Sequence, residues 1–198
     1  MTVETITRGV ARAYLSRLTA CLARVDPVEI DAAIELIRTT WLAGQQIITL
    51  GNGGSAITAL HFTTDWTKSV YLATGRQFRG RSLIDNIGLV TAHGNDASYA
   101  DIFSEQIKAI ATSGDLVVAI SGSGNSENVV RAVETANALG CQTLGLCGFT
   151  GGRLREKAKQ VIWIDVQDMQ LAEDAHAMFG HMVMKALCQP EWPASSEF

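Results

Sequence analysis

The chain has 198 residues, 47% hydrophobic and 18% charged, with a formal net charge of −4. That is the size and balance of one globular domain, residues 1–198, with a core of its own. With no basic cluster and no apolar run near the roughly 18 residues of a membrane span, neither nucleic acid nor a membrane is expected as a partner. The N-terminus lacks the charged-then-apolar pattern of a secretory leader. Four cysteines, Cys21, Cys141, Cys147 and Cys188, show no metal-type spacing and read as the reduced thiols of a cytoplasmic protein.

Residues 4–23 repeat in threes and fours, with Ile6, Val10, Tyr14, Leu18 and Cys21 along one side, and predict a helix. A second helix is expected after Asp26 as its cap and Pro27 in its first turn, with Ile30, Ala33, Ile34, Ile37 and Trp41 on one face. These helices fill 1–44 and either cover a sheet or form an oligomer interface. Over 45–188 the pattern alternates strand with helix. Strand 46–50 leads to helix 55–68, and a strand at 82–84 leads to a short helix at 87–92. Residues 96–111 read as a further helix, with Tyr99, Ile102, Phe103, Ile107 and Ile110 on one face. Strand 116–120 leads to helix 126–139, closed by Gly140. Strand 143–146 runs through a glycine-rich turn into helix 153–159. Strand 161–164 and a last helix over 170–187 complete the series, and 189–198 reads as a polar tail. This alternation predicts an α/β three-layer sandwich: a five-stranded parallel sheet between helical layers, flavodoxin-like, with two N-terminal helices added.

Two loops carry the chemical signal. Gly51-Asn52-Gly53-Gly54-Ser55 joins a strand to a helix, and so does Ser121-Gly122-Ser123-Gly124-Asn125-Ser126 about seventy residues later. Glycines let the backbone approach a ligand, and the first amides of a helix lack internal partners. Phosphate is a common tenant of such a site. Either loop alone also reads as a plain turn; two in one small α/β domain favour an anion site. Both lie beyond the carboxyl ends of strands, where ligands bind in such folds.

Three of the four histidines fall on two helices. His61 and Asp65 stand four apart on the helix after the first loop, so they share a face. Glu173, Asp174, His176 and His181 lie on the last helix. A histidine plus a carboxylate on each helix can ligate a divalent metal or supply an acid and a base. Glu173 and His181 are eight apart, ~12 Å along a helix axis, whereas Asp174 and His181 share a face more naturally. Plainer readings exist: a surface His–Asp hydrogen bond, acidic residues placed by the helix dipole, and His181 as a core histidine.

The motifs together resemble the sedoheptulose-7-phosphate isomerase (GmhA-like) family, within the sugar isomerase (SIS) fold. GNGGSAITALHFTTD at 51–65 is similar to the family's GNGGSxxxAxHFxxE, and ISGSGNS at 120–126 to its ISTSGNS loop. Gly94-Asn95-Asp96 with Tyr99, Phe103 and Gln106 resembles its GND segment, Gly148–Gly152 its GxxGG turn, and Glu173 to His181 its QExH….H helix. The chain departs from the family at five points. Asp65 replaces the catalytic Glu, Glu173 a Gln, Asp174 the following Glu, Gly122 a Thr, and Asn86, beside Asp85, an Asp.

The resemblance implies an isomerase that interconverts a ketose and an aldose phosphate through an enediol. Asp65 and His181 would be its catalytic pair. Asn52, Gly53, Gly54, Ser55, Asn86, Asp96, Ser121, Gly122, Ser123, Ser126 and Glu173 would bind the substrate, the four serines on its phosphate. A zinc ion would sit at His61, Asp65, Glu173 and His181. The family also implies a homotetramer with active sites shared between subunits, so that Glu173 and His181 of one site need not come from one chain. An octose phosphate of secondary metabolism is an alternative substrate, and a DiaA-like tetrameric scaffold without enzymatic activity is an alternative function.

Overall fold

The computed structural model describes residues 9–189. The start of the first expected helix, including Ile6, and the tail from Pro190 lie outside the described residues.

Two helices come first, α1 (Val10–Leu22) and α2 (Pro27–Leu42). Asp26 caps α2 by accepting from Val28 N, and Pro27 stands at its first turn, where no amide partner is lost. The alternating part follows: β1 (Ile47–Gly51), α3 (Gly53–Asp65), a π-helical turn (Trp66–Val70), α4 (Tyr71–Thr74) and β2 (Gly80–Ser82). Next come α5 (Ile87–Asp96), a 3₁₀ turn (Tyr99–Asp101), α6 (Ser104–Ile110), β3 (Leu116–Ser121) and α7 (Glu127–Ala138). The last elements are β4 (Gln142–Cys147), α8 (Gly152–Lys157), β5 (Gln160–Trp163) and α9 (Met169–Cys188).

The five strands form one parallel sheet in the order β2-β1-β3-β4-β5, the α/β architecture that the alternation predicts. This order reverses direction between β1 and β3, and the crevice at such a switch point is where ligands bind. Register puts Gly51 beside Ile120 and Ser121 beside Cys147, so both glycine-serine loops leave the same edge.

Side-chain alternation along β3 splits the core in two. Val118 and Ile120 pack with Ile37, Phe62, Trp66, Phe179 and Val183 on one face. Val117 and Ala119 pack with Phe103, Ile107, Val129 and Val133 on the other. All four cysteines are free thiols, three of them buried. Burial alone pushes the Cys147 thiol up to about 12 and keeps it unreactive.

Several boundaries differ from the sequence reading. The expected helix at 96–111 is broken: α5 runs on to Asp96, Ala97 leaves helical geometry, and a 3₁₀ turn precedes α6. Ile102, Phe103 and Ile107 are buried as the periodicity predicts, but Tyr99 faces outward. The expected helix 55–68 begins at Gly53 and continues through the π turn to Thr74. The second strand lies at Gly80–Ser82, earlier than expected. Helix α1 buries Cys21 in the core and half-buries Tyr14 and Leu18 on the same expected face, while Val10 at its start stays exposed.

Candidate active site

The first loop opens α3. Asn52 is its N-cap residue, yet the Asn52 side chain makes no capping bond. It is used elsewhere: Nδ2 donates to Asn128 Oδ1 at 2.8 Å, and Oδ1 accepts from Asn128 Nδ2 at 2.9 Å and from Tyr99 Oη at 3.0 Å. The reciprocal amide pair ties the start of α3 to the start of α7. At α7 the N-cap is Ser126, again without a capping bond; its Oγ lies 3.3 Å from Ser121 Oγ. Helices α2, α5 and α9, by contrast, are capped by Asp26, Asn86 and Asp168. Neither N-cap residue of the two helices that meet at the switch point caps its helix, so their first amides are left for an anion, except that Val129 N of α7 donates to Asn128 Oδ1 at 3.0 Å.

Backbone geometry explains the glycines. Gly53 and Gly124 adopt φ of 53° and 69°, a region that side chains disfavour. A Cβ on Gly124 would run into the Gly151 carbonyl, so the second loop packs backbone to backbone on the Gly148–Gly152 turn. Leu154 N donates to Gly124 O at 2.8 Å across this contact, and Gly148 N to Gly122 O at 2.8 Å.

Between the loops lies a cleft of about 270 Å³. Asn52, Gly53, Gly54, Ser55, Ser121, Gly122, Ser123, Ser126 and Glu173 line it, as sequence reasoning expects of substrate-binding residues. Two expected residues are elsewhere. Asn86 caps α5, its Oδ1 accepting from Leu89 N at 3.3 Å, and Asp96 ends the same helix, paired with Asn95. Within one chain only Asn86 serves the helix as a cap. Met169 also lines the cleft, and with Asn128 and Tyr99 it was missed as a site residue. Tyr99 belongs to the segment that begins at Gly94 and Asn128 lies two residues beyond the second loop, and neither carries chemistry legible without the fold.

A second cluster lies further along α3. His61 Nε2 is 3.0 Å from Asp65 Oδ2, and His181 Nε2 is 3.3 Å from His61 Nε2 and 4.0 Å from Asp65 Oδ2. The pairing of α3 with α9 creates it. The Phe62 ring fills the space a side chain on Gly180 would occupy, and Trp66 Nε1 donates to Gly180 O at 2.9 Å. Each neighbour in sequence, His61 and His181, is thereby carried to the other. Two imidazoles and a carboxylate whose donor atoms lie within 4.8 Å of one another suit a divalent metal. Bonds of about 2.0–2.1 Å in a tetrahedral site put ligand atoms roughly 3.3 Å apart, close to the spacings found.

Glu173 does not join this trio. Its carboxylate lies against Gly54, 2.8 Å from where a Cβ would stand, because the two turns of α9 between Glu173 and His181 separate them. Within one chain three of the four expected donors come together, and Glu173 stands in the cleft. Asp174 is held by Tyr14, whose hydroxyl donates at 2.6 Å. His176 is fully buried, with neither ring nitrogen in a hydrogen bond of good geometry. Desolvation pushes it down to about 4 against a weak opposing pull from the Cys147 backbone, so it stays neutral and outside the proton chemistry.

Comparison with known proteins agrees with this geometry. A family model described as SIS domain matches residues 13–148. The phosphoheptose isomerase of Aliarcobacter butzleri (strain RM4018) is 35% identical over 158 residues, covering 80% of this chain and 83% of that protein. The probable phosphoheptose isomerase of Thermoplasma acidophilum is 32% identical over 173 residues, 87% of this chain and 94% of its own. Among solved structures, the phosphoheptose isomerase GmhA of Neisseria gonorrhoeae superposes with a TM-score of 0.82 at 26% identity, over 89% of this chain and 96% of that one. The chain belongs to the SIS-domain family, in its phosphoheptose isomerase (GmhA-like) group.

Proposed function

We propose that this protein is a phosphosugar isomerase that interconverts sedoheptulose 7-phosphate and the matching aldoheptose 7-phosphate. The observation that carries this reading is an uncapped anion seat at the start of α3 and, further along the same helix, His61 and Asp65, which His181 of α9 completes into a His–Asp–His donor set. The relatives named phosphoheptose isomerase supply the substrate.

The loop amides and Ser55, Ser121, Ser123 and Ser126 hold the terminal phosphate. At the other end of the open-chain sugar, Asp65 takes the proton from C1 of the ketose and the same proton, or one from water, is returned to C2. His181 moves the hydroxyl proton between O1 and O2, so the enediol collapses to the aldose. Asp65 Oδ2 faces the imidazoles, which leaves Oδ1 for the carbon proton. Asp65 has one methylene less than the family's Glu, and the π-helical turn that begins at Trp66 follows it directly. Zinc at His61, Asp65 and His181 would polarise the sugar oxygens.

Sharing of sites between the subunits of a tetramer has physical support. Ser55 and Asp65 are ten residues apart on a helix, ~15 Å, while seven carbons joined by bonds of about 1.5 Å span at most ~9 Å. The trio is also open, with half of each imidazole exposed. Apolar side chains face outward on the surrounding helices: Leu15 is 62% exposed, Val28 71% and Ile87 70%. A groove of about 380 Å³, lined by Leu22, Ile30, Phe179 and Met182, runs between the N-terminal helices and α9. Among the described residues no helix is long and apolar enough to cross a membrane, and a cytoplasmic location fits a sugar phosphate substrate.

The test is turnover of sedoheptulose 7-phosphate by the full-length protein, after chelation and after zinc is restored. Formation of the aldose phosphate, lost on chelation and regained with zinc, is the expected result. No turnover by the zinc-loaded protein overturns the reading.

A further inference from the structure

The phosphate cleft contains a negative charge of its own. Glu173 is the one ionisable side chain in its lining, which includes no lysine or arginine among the described residues. The carboxylate lies against Gly54 in the first turn of α3, with its two oxygens 2.8 and 3.0 Å from where a Cβ would stand. A helix amino end welcomes any anion, whether a side chain or a ligand. One turn earlier on α9, the Met169 sulfur lies where a side chain on Gly122 would go, so the start of α9 is pressed onto both loops, each time at a glycine. Asp168, the cap of α9, is neutralised by Arg17 at 2.8 Å, and the nearby arginines Arg131 and Arg153 pair with Glu127. None of these cations offsets Glu173 within the cleft.

We infer that Glu173 is a resident competitor for the phosphate seat and sets how weakly this cleft holds a phosphate ester. This rests on the cleft being the phosphate site. A phosphate that enters must displace the carboxylate from the amino end of α3 or share a small cleft with a like charge, and both cost affinity. An amide of the same shape removes the repulsion and leaves a donor in its place.

Isothermal titration of the full-length protein with inorganic phosphate tests this, comparing wild type with Glu173→Gln, Glu173→Ala and Ser121→Ala. Both Glu173 variants should bind at least about fivefold more tightly at low salt, the ratio that about 1 kcal/mol of relieved repulsion gives, and the gain should shrink in high salt. Equal or weaker binding by Glu173→Gln overturns the inference, even where Glu173→Ala binds more tightly, because bulk rather than charge is then the cause. Ser121→Ala separates this from the reading beneath it. If Ser121→Ala weakens phosphate binding while the Glu173 variants do not tighten it, only the competitor role fails. If Ser121→Ala leaves binding unchanged, the cleft is not the phosphate seat and both fall.

Discussion

The two ends of the candidate site are built in opposite ways. The cleft proposed for phosphate is built around backbone: uncapped helix starts, two glycines with positive φ, and an Asn52–Asn128 pair that locks one loop to the other. The His61–Asp65–His181 trio is made of side chains on two helix faces, both imidazoles half exposed, and contacts within the trio are its only polar ties among the described residues. A cleft of the first kind is complete within one chain and rigid before a ligand arrives. A trio of the second kind needs a metal, a substrate or a neighbouring subunit to fix it. Binding and chemistry should therefore fail separately when each is damaged.

The sharpest break is Asp65→Asn. It keeps the shape and removes the base, so turnover should fall by at least ~100-fold, the usual contribution of a positioned general base. Inorganic phosphate should bind as in wild type, because the cleft shares no residue with the trio. Turnover within a few-fold of wild type would remove Asp65 from the reaction.

The same contrast explains what was legible in the sequence. The parallel sheet, its five strands and the cleft residues could be read because each signal is local: an apolar run, then a glycine-serine turn, then a helix. Gly53 and Gly124 announce themselves by type. The trio was half legible. His61 and Asp65 are four apart on one helix, but only the approach of α3 to α9 at Gly180 shows that His181 joins them and Glu173 does not. Motif position puts Asn86 and Asp96 in the site; within one chain neither lines the cleft, because Asn86 caps α5 and Asp96 stands at its far end. Periodicity puts Tyr99 on one face of a long helix; the break at Ala97 turns it outward and over Asn52 instead.

Gly180→Ala tests that approach directly. The added methyl must displace the Phe62 ring, which is buried between the helices. Overpacking of this kind costs about 1–3 kcal/mol, measurable as a lower urea midpoint. The helices separate at the point that aligns His61 with His181, so zinc affinity, read by competition with a chromogenic chelator, should fall with it. Phosphate binding should persist, since the cleft lies two turns away. If zinc affinity is unchanged while stability drops, the trio does not depend on this contact.

Asn128→Ala damages the other end and should have the smallest effect. Asn128 is buried, and its amide both donates to and accepts from Asn52. Its loss leaves Asn52 with Tyr99 alone and frees the two loops to move relative to each other. One neutral hydrogen-bonded pair is worth about 1 kcal/mol net, so KM for the sugar phosphate should rise about five- to tenfold. The maximal rate should hold, because a loss of uniform binding raises KM without slowing the chemical step. Asn128→Asp is the stricter form. Its carboxylate can still accept from Asn52 Nδ2 but cannot donate to Oδ1, and it adds a negative charge at the start of α7, beside the phosphate. It should therefore bind phosphate less well than Asn128→Ala despite keeping half of the pair. The reverse order would mean that the amide pair matters for loop geometry alone and that charge at the cleft is of little account.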